Sequence, residues 1–319
     1  MLRTAQPSHP HLSPSGVSAL NEQPRETLRV RAADGWMLDV AVLPERGPLR
    51  GLALLGHAMM VDRRSMDRPS GRGLASTLAE SGWRVYLLDV RGHGASVPPA
   101  GCRWSWSYDD IVRFDLPACV DAARRDRPGY PVFLVGHSLC GHCSIAATGT
   151  GAYAAPPDAQ VLLSANIWLP SLEPSRSRRF RKSSVIRTAR TITRMTGHFP
   201  SQRLGVGPAD EARPYIEDLT RYWVEDSWSS TSGVDYLEAA KQITEPVLSV
   251  LGGGDELLGH FEAATRWAQR IGPHGAEVWL VGQGDPGLDF DPDHMSLVAD
   301  LRSISVWNRV LKWMDDALR

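Results

Sequence analysis

Six short apolar runs constrain this chain most: Leu52–Leu55, Trp83–Leu88, Pro131–Val135, Val161–Leu163, Pro246–Leu251 and Glu277–Val281. Most end at Gly or Asp, and segments with helical spacing lie between them, at Gly71–Ser81, Tyr108–Arg125, Leu139–Ala147, Leu258–Ile271 and Ser303–Leu318. Fully apolar strands must be covered on both faces. Their alternation with helices predicts an α/β fold with a mostly parallel central sheet and helices on each side. Ahead of them, Arg25–Ala33 and Trp36–Pro44 are joined by Asp34-Gly35, a hairpin signal that adds antiparallel strands at one edge.

One stretch breaks the rhythm. Asn166–Ser232 is too long for a plain connection. It holds helix-like pieces around Ser184–Met195 and Ala212–Trp223 and is expected to form a cap inserted after the sixth strand, at residues 166–232. Residues 1–24 are rich in Pro, Ser and His and are expected to be a disordered tail, with one domain over residues 25–319. The tail has no apolar stretch of signal-peptide length, so the expected address is the cytoplasm.

Composition excludes several classes. A net charge of −1 leaves no global basic field for nucleic acid. No run approaches the ~18 apolar residues of a membrane span. Four cysteines in 319 residues are too few for a disulfide scaffold, and they form no paired Cys-x-x-Cys zinc motif. Lysine occurs only at Lys182, Lys241 and Lys312, the other 32 of the 35 basic residues being arginine, which reads as the coding bias of a GC-rich, bacterial genome. Eight cations between Arg176 and Arg194 crowd the expected cap with no acid among them; they fit either an anionic ligand or a solvated helix.

The chemistry concentrates at Val135-Gly136-His137-Ser138-Leu139-Cys140-Gly141. A strand runs in and a helix runs out, the context of a nucleophile elbow, where a sharp turn presents a serine hydroxyl above the sheet. The last glycine of G-x-S-x-G is displaced by one: position 140 is cysteine and Gly141 follows. Ser138 is the expected nucleophile, with Cys140 as its rival.

A serine needs a base, and the base an orienting acid, in the chain order Ser, Asp or Glu, His. Of ten histidines, only His260, His274 and His294 follow the serine at a suitable remove. His294 lies beyond the last strand in a polar loop before the closing helix, and it is the expected base. Asp255, after the strand ending in Gly252-Gly253-Gly254, is the expected acid; Glu256 is its neighbour, and Asp285 and Asp293 are remoter competitors. The oxyanion hole is expected from the N–H groups of Leu139 and of Met59, in the loop Gly56-His57-Ala58-Met59-Met60, with Ala58 as the next candidate.

Taken together, Leu55-Gly56-His57-Ala58, Asp89-Val90-Arg91-Gly92-His93-Gly94-Ala95-Ser96, Gly136-His137-Ser138-Leu139, Gly254-Asp255 and Asp293-His294-Met295 resemble a bacterial α/β-hydrolase of the serine-aminopeptidase and esterase-like kind. This chain has His57-Ala58 where that family usually has His-Gly. The resemblance implies a serine hydrolase, most simply of esters or lactones, on a small-molecule substrate with neither metal nor organic cofactor. It leaves open an amide, a thioester or another acyl acceptor on the same triad, and a non-catalytic binding protein on the same fold. His57, Ala58, His137, Trp104 and Trp168 are the expected pocket residues. The sequence carries no signal for an oligomeric state.

Overall fold

The computed structural model describes residues 26–96, 98 and 104–319; the expected tail lies outside the described residues. Glu26–Arg31 (β1) and Met37–Leu43 (β2) form the antiparallel hairpin. Gly51–Gly56 (β3), Trp83–Asp89 (β4), Val132–His137 (β5) and Ala159–Leu163 (β6) follow, with Val247–Gly252 and Glu277–Val281 closing the sheet. The closing pair are β9 and β10, because the insertion contributes a separate two-stranded ribbon, His198–Phe199 (β7) against Glu211–Ala212 (β8). Sheet order is β1-β2-β4-β3-β5-β6-β9-β10, parallel beyond β4.

Why the runs are apolar throughout is visible in the pleat. Leu52, Leu54, Val132 and Leu134 enter one core, and Ala53, Leu55, Phe133 and Val135 enter the other. Successive side chains point to opposite faces, so a strand with a core on each side has no solvent face to make polar. Leu139–Gly149 packs with the first core; Leu74–Glu80 and Ile304–Asp316 pack with the second.

Among the elements that depart from the expected outlines, the helix expected at Leu258–Ile271 is trimmed to Phe261–Ala268, and three others show a physical cause. The helix over Tyr108–Arg125 is interrupted by a π-helical turn at Ile111–Asp115, where the buried Asp115 carboxylate takes the Arg91 Nε–H at 2.8 Å. The helix expected from Gly71 starts at Leu74, because the Asp67 carboxylate accepts from the amides of Gly73 and Ser76 and fixes the entry. The first insertion helix, expected at Ser184–Met195, spans Arg176–Thr196, from the Ser175 cap to Gly197 in the left-handed region. Its first half buries Lys182 rather than an apolar stripe, so periodicity gave no signal there.

The insertion rests on the carboxyl ends of the strands. Its helix Arg213–Glu225 stacks Tyr215 on Trp106 with centroids 5.1 Å apart, and Asp218 accepts the Tyr108 amide at 3.1 Å.

Candidate active site

Ser138 ends β5 and opens the helix Leu139–Gly149 with φ 48° and ψ −106°, a conformation that strains any residue but glycine. The strain is held from outside. The Ser138 amide donates to the Leu163 carbonyl on β6 at 3.0 Å, and the helix is pressed onto the sheet where Gly136 and Gly141 meet. A Cβ on Gly136 would lie 2.5 Å from the Gly141 nitrogen, and one on Gly141 would lie 2.6 Å from the Ala165 Cβ. The close approach therefore uses the displaced glycine, Gly141. Cys140 turns toward Gly56 at the end of β3 and is fully buried; burial pushes its thiol well up, away from thiolate.

His294 Nδ1 bonds the Asp255 carboxylate at 2.6 Å, and Asp255 is buried while the imidazole is only partly so. The Gly259 amide gives the same carboxylate oxygen a 2.8 Å hydrogen bond. Two loops must pass closely for this pairing, and the glycines after β9 permit it. The Gly254 amide donates to the Pro292 carbonyl at 3.0 Å, and a Cβ on Gly252 would stand 2.1 Å from that oxygen. The His294 carbonyl accepts from His137 Nε2 at 2.9 Å, which ties the loop to the residue before Ser138. The competing acids stand elsewhere: Glu256 is exposed, Asp285 bonds Arg309, and Asp293 caps the turn at Met295 and Ser296. His260 caps the helix Phe261–Ala268, and His274 lines a 540 Å³ cleft beside the first residues of β9 and β10. A cleft of about 350 Å³ opens between Gly254–Leu258 and Asp293–Met295.

The Leu139 amide is the first of its helix and the Met59 amide lies in the loop after β3; neither donates a hydrogen bond within the described residues. Two free N–H groups near a serine can receive a developing oxyanion. Ala58, the other candidate donor, is buried.

The expected pocket residues separate into two groups. His57 and His137 are internal. His57 bonds the Ala58 carbonyl through Nδ1 at 2.7 Å and accepts the Val90 amide through Nε2 at 3.2 Å. Burial, with His93 close by, lowers its pKa to about 3, so it is neutral. His137 is likewise held neutral by burial and by the nearby His294. Both brace the loops around the site instead of lining a pocket. Trp104 and Trp168 are part-exposed: Trp104 stacks on His198 at 4.5 Å, and Trp168 donates to the Leu258 carbonyl at 2.9 Å beneath the Lys182 ammonium. Lys182 is buried against Glu173 at 2.8 Å.

Sequence reasoning missed Glu211. Fully buried on β8, it reaches the Met60 amide and His93. Nothing in the surrounding sequence distinguishes it from the other insertion acids. Among the described residues no group of three or more His, Cys, Asp or Glu side chains is arranged to hold a metal ion, and no helix is long and apolar enough to cross a membrane.

Sheet order, elbow and loop placement together define an α/β-hydrolase. Solved structures with the same fold include the monoglyceride lipase of Saccharomyces cerevisiae (TM-score 0.66, 16% identity, 96% of this chain and 99% of that one). An esterase from Pyrococcus furiosus is similar too (TM-score 0.62, 15% identity, 92% and 91%). The model of the serine aminopeptidase family S33 matches residues 70–280, and the chain belongs to that family. In sequence it is similar to triacylglycerol lipase 2 of Arabidopsis thaliana, 30% identical over 33% of this chain and 29% of the lipase. Human lipase member N is 25% identical over 40% of this chain and 35% of the lipase, so the shared stretch spans about a third of these relatives.

Proposed function

We propose that the protein hydrolyses a carboxylic ester or lactone of a small molecule through an acyl-enzyme. The observation that carries this reading is the strained serine at a helix head, whose neighbour His137 holds the carbonyl of a histidine already paired with a buried aspartate. Ser138 Oγ attacks the carbonyl carbon while His294 takes its proton through Nε2. Asp255 fixes the tautomer with the proton on Nδ1 and stabilises the imidazolium. The tetrahedral oxyanion is received by the Leu139 and Met59 amides. Collapse expels the alcohol, protonated by His294, and leaves an acyl-serine. Water then attacks with the same base and releases the acid.

The insertion 166–232 serves as a cap over this chemistry, with Trp104 stacked on its His198 and its own Trp168 bonded to the Leu258 carbonyl. Ester chemistry is favoured over amide by the relatives named as lipases. The test is labelling by a fluorophosphonate probe, followed by a screen of p-nitrophenyl esters of graded chain length with lactones and aminoacyl amides alongside. Label on Ser138 and turnover of esters or lactones is the expected result. A folded protein that takes no label and turns over none of these would leave only a binding role.

A further inference from the structure

The loop that carries Met59 is gripped from the insertion. Met60, next in line, has φ 62°, a left-handed conformation that costs a non-glycine residue about 1 kcal/mol or more. Both polar groups of Met60 are held by one short segment. Glu211 Oε1 accepts the Met60 N–H at 2.5 Å, and the Ala209 N–H donates to the Met60 carbonyl at 3.0 Å. Gly207 passes against the same carbonyl, where a Cβ would stand 2.3 Å from the oxygen. Glu211 is in turn fixed from the body: His93 Nε2 lies 3.2 Å from the same Oε1, and His93 Nδ1 donates to the Arg91 carbonyl at 2.9 Å. Glu211 and His93 are both fully buried, and the second oxygen, Oε2, has no partner among the described residues. Burying a carboxylate is costly. This one takes the N–H of the Met59–Met60 peptide, which directly follows the residue whose amide faces the oxyanion in the proposed mechanism.

We infer that Glu211 is a positioning residue for the oxyanion loop, setting the Met59 amide through the Met60 peptide and thereby coupling the insertion to catalysis. The inference rests on the proposed roles of Ser138 and Met59. Removing the grip lowers transition-state stabilisation and leaves ground-state binding alone, because the donor that moves serves only the oxyanion.

The experiment compares wild type, Glu211→Ala, Glu211→Gln and Gly207→Ala by ester turnover, by inhibition with a trifluoromethyl ketone, which forms a tetrahedral oxyanion on the serine, and by fluorophosphonate labelling. Glu211→Ala should lose roughly 10- to 100-fold in kcat and a similar factor in ketone affinity, with KM within about twofold, since one full oxyanion donor is worth about 10²–10³. Glu211→Gln, whose amide oxygen still accepts the Met60 N–H, should recover most of both. Should Glu211→Ala fail to fold, Gly207→Ala disturbs the same residue, Met60, from its carbonyl side without exposing a buried charge, and it should show the same split. Wild-type kcat and ketone affinity in a folded Glu211→Ala or Gly207→Ala enzyme would overturn the inference while the hydrolase reading stands. A wild type that takes no label on Ser138 would overturn that reading instead.

Discussion

The Cys140 side chain stands where Gly56 has none: a Cβ on Gly56 would lie 2.5 Å from the Cys140 Cβ and 2.7 Å from its sulfur. The glycine that the elbow lacks at 140 is thus matched by one across the interface, at the end of β3. Gly56→Ala should therefore destabilise the protein by overpacking, by about 1–3 kcal/mol. Cys140→Gly should restore most of that loss in the double variant, and the cycle is read by denaturant melts. Additive effects would mean that the two positions do not share the space.

Cys140→Ala should keep most of the ester turnover, and a small thiol reagent should inactivate slowly or not at all. The sulfur is fully buried and burial holds the thiol protonated. Loss as complete as in Ser138→Ala would make the cysteine a partner in the chemistry.

Ser138→Ala and His294→Ala should each lower kcat by roughly 10³-fold or more, with far-UV spectra unchanged, because such residues act as a unit. Asp255→Asn should also lose heavily, since an amide at 2.6 Å from His294 Nδ1 no longer selects the tautomer that leaves Nε2 free to accept. Substantial turnover by a folded Ser138→Ala protein would sink the mechanism.

Glu173→Ala strands the buried Lys182 ammonium, now paired at 2.8 Å. Breaking one side of such a pair costs about 3–5 kcal/mol. The drop in melting temperature should far exceed that of Arg187→Gln, on the exposed face of the same helix. Equal effects would place Lys182 in contact with water.

Asp218 titrates in a window open to measurement. Burial pushes its pKa up to about 6, with Asp109 adding to the rise and the Tyr108 amide opposing it. The folded state thus binds this proton more tightly than the unfolded chain. The resulting stability is full below pH ~4 and lost as pH rises through about 6, at most about 3 kcal/mol in all. Asp218→Asn lacks this slope, so its melting temperature should gain on wild type between pH 4 and 7. A difference that stays constant across that range would show that the carboxyl does not titrate there.

The sheet, the elbow and the histidine–aspartate pairing were legible because each is written in contiguous residues. Apolar runs mark strands, a Gly-x-Ser turn between strand and helix marks the elbow, and three glycines mark the close passage of two loops. His57 and His137 could not be placed in advance, because a histidine near a site in sequence reads alike whether its ring faces a ligand or, as here, backbone groups. Glu211 was invisible because its partners Met60 and His93 come from other loops and share no spacing with it. The arginines at the start of Arg176–Thr196 hid its first two turns, since the inward face there is built on an ion pair.

The insertion departs after Leu163 and the chain returns at Val247, on strands that are hydrogen-bonded neighbours with Leu163 opposite Val250. Its two anchorage points are therefore fixed by the sheet whatever lies between them, one strand apart and at opposite ends, since Val247 stands opposite Gln160. Closing a loop twice as long costs only about 0.6 kcal/mol more. Within such a frame the excursion can be lengthened, shortened or exchanged for another without refolding the hydrolytic body. What resists free exchange is the pair of amides at Met60 and Tyr108, since any replacement must bring its own acceptors where Glu211 and Asp218 now stand.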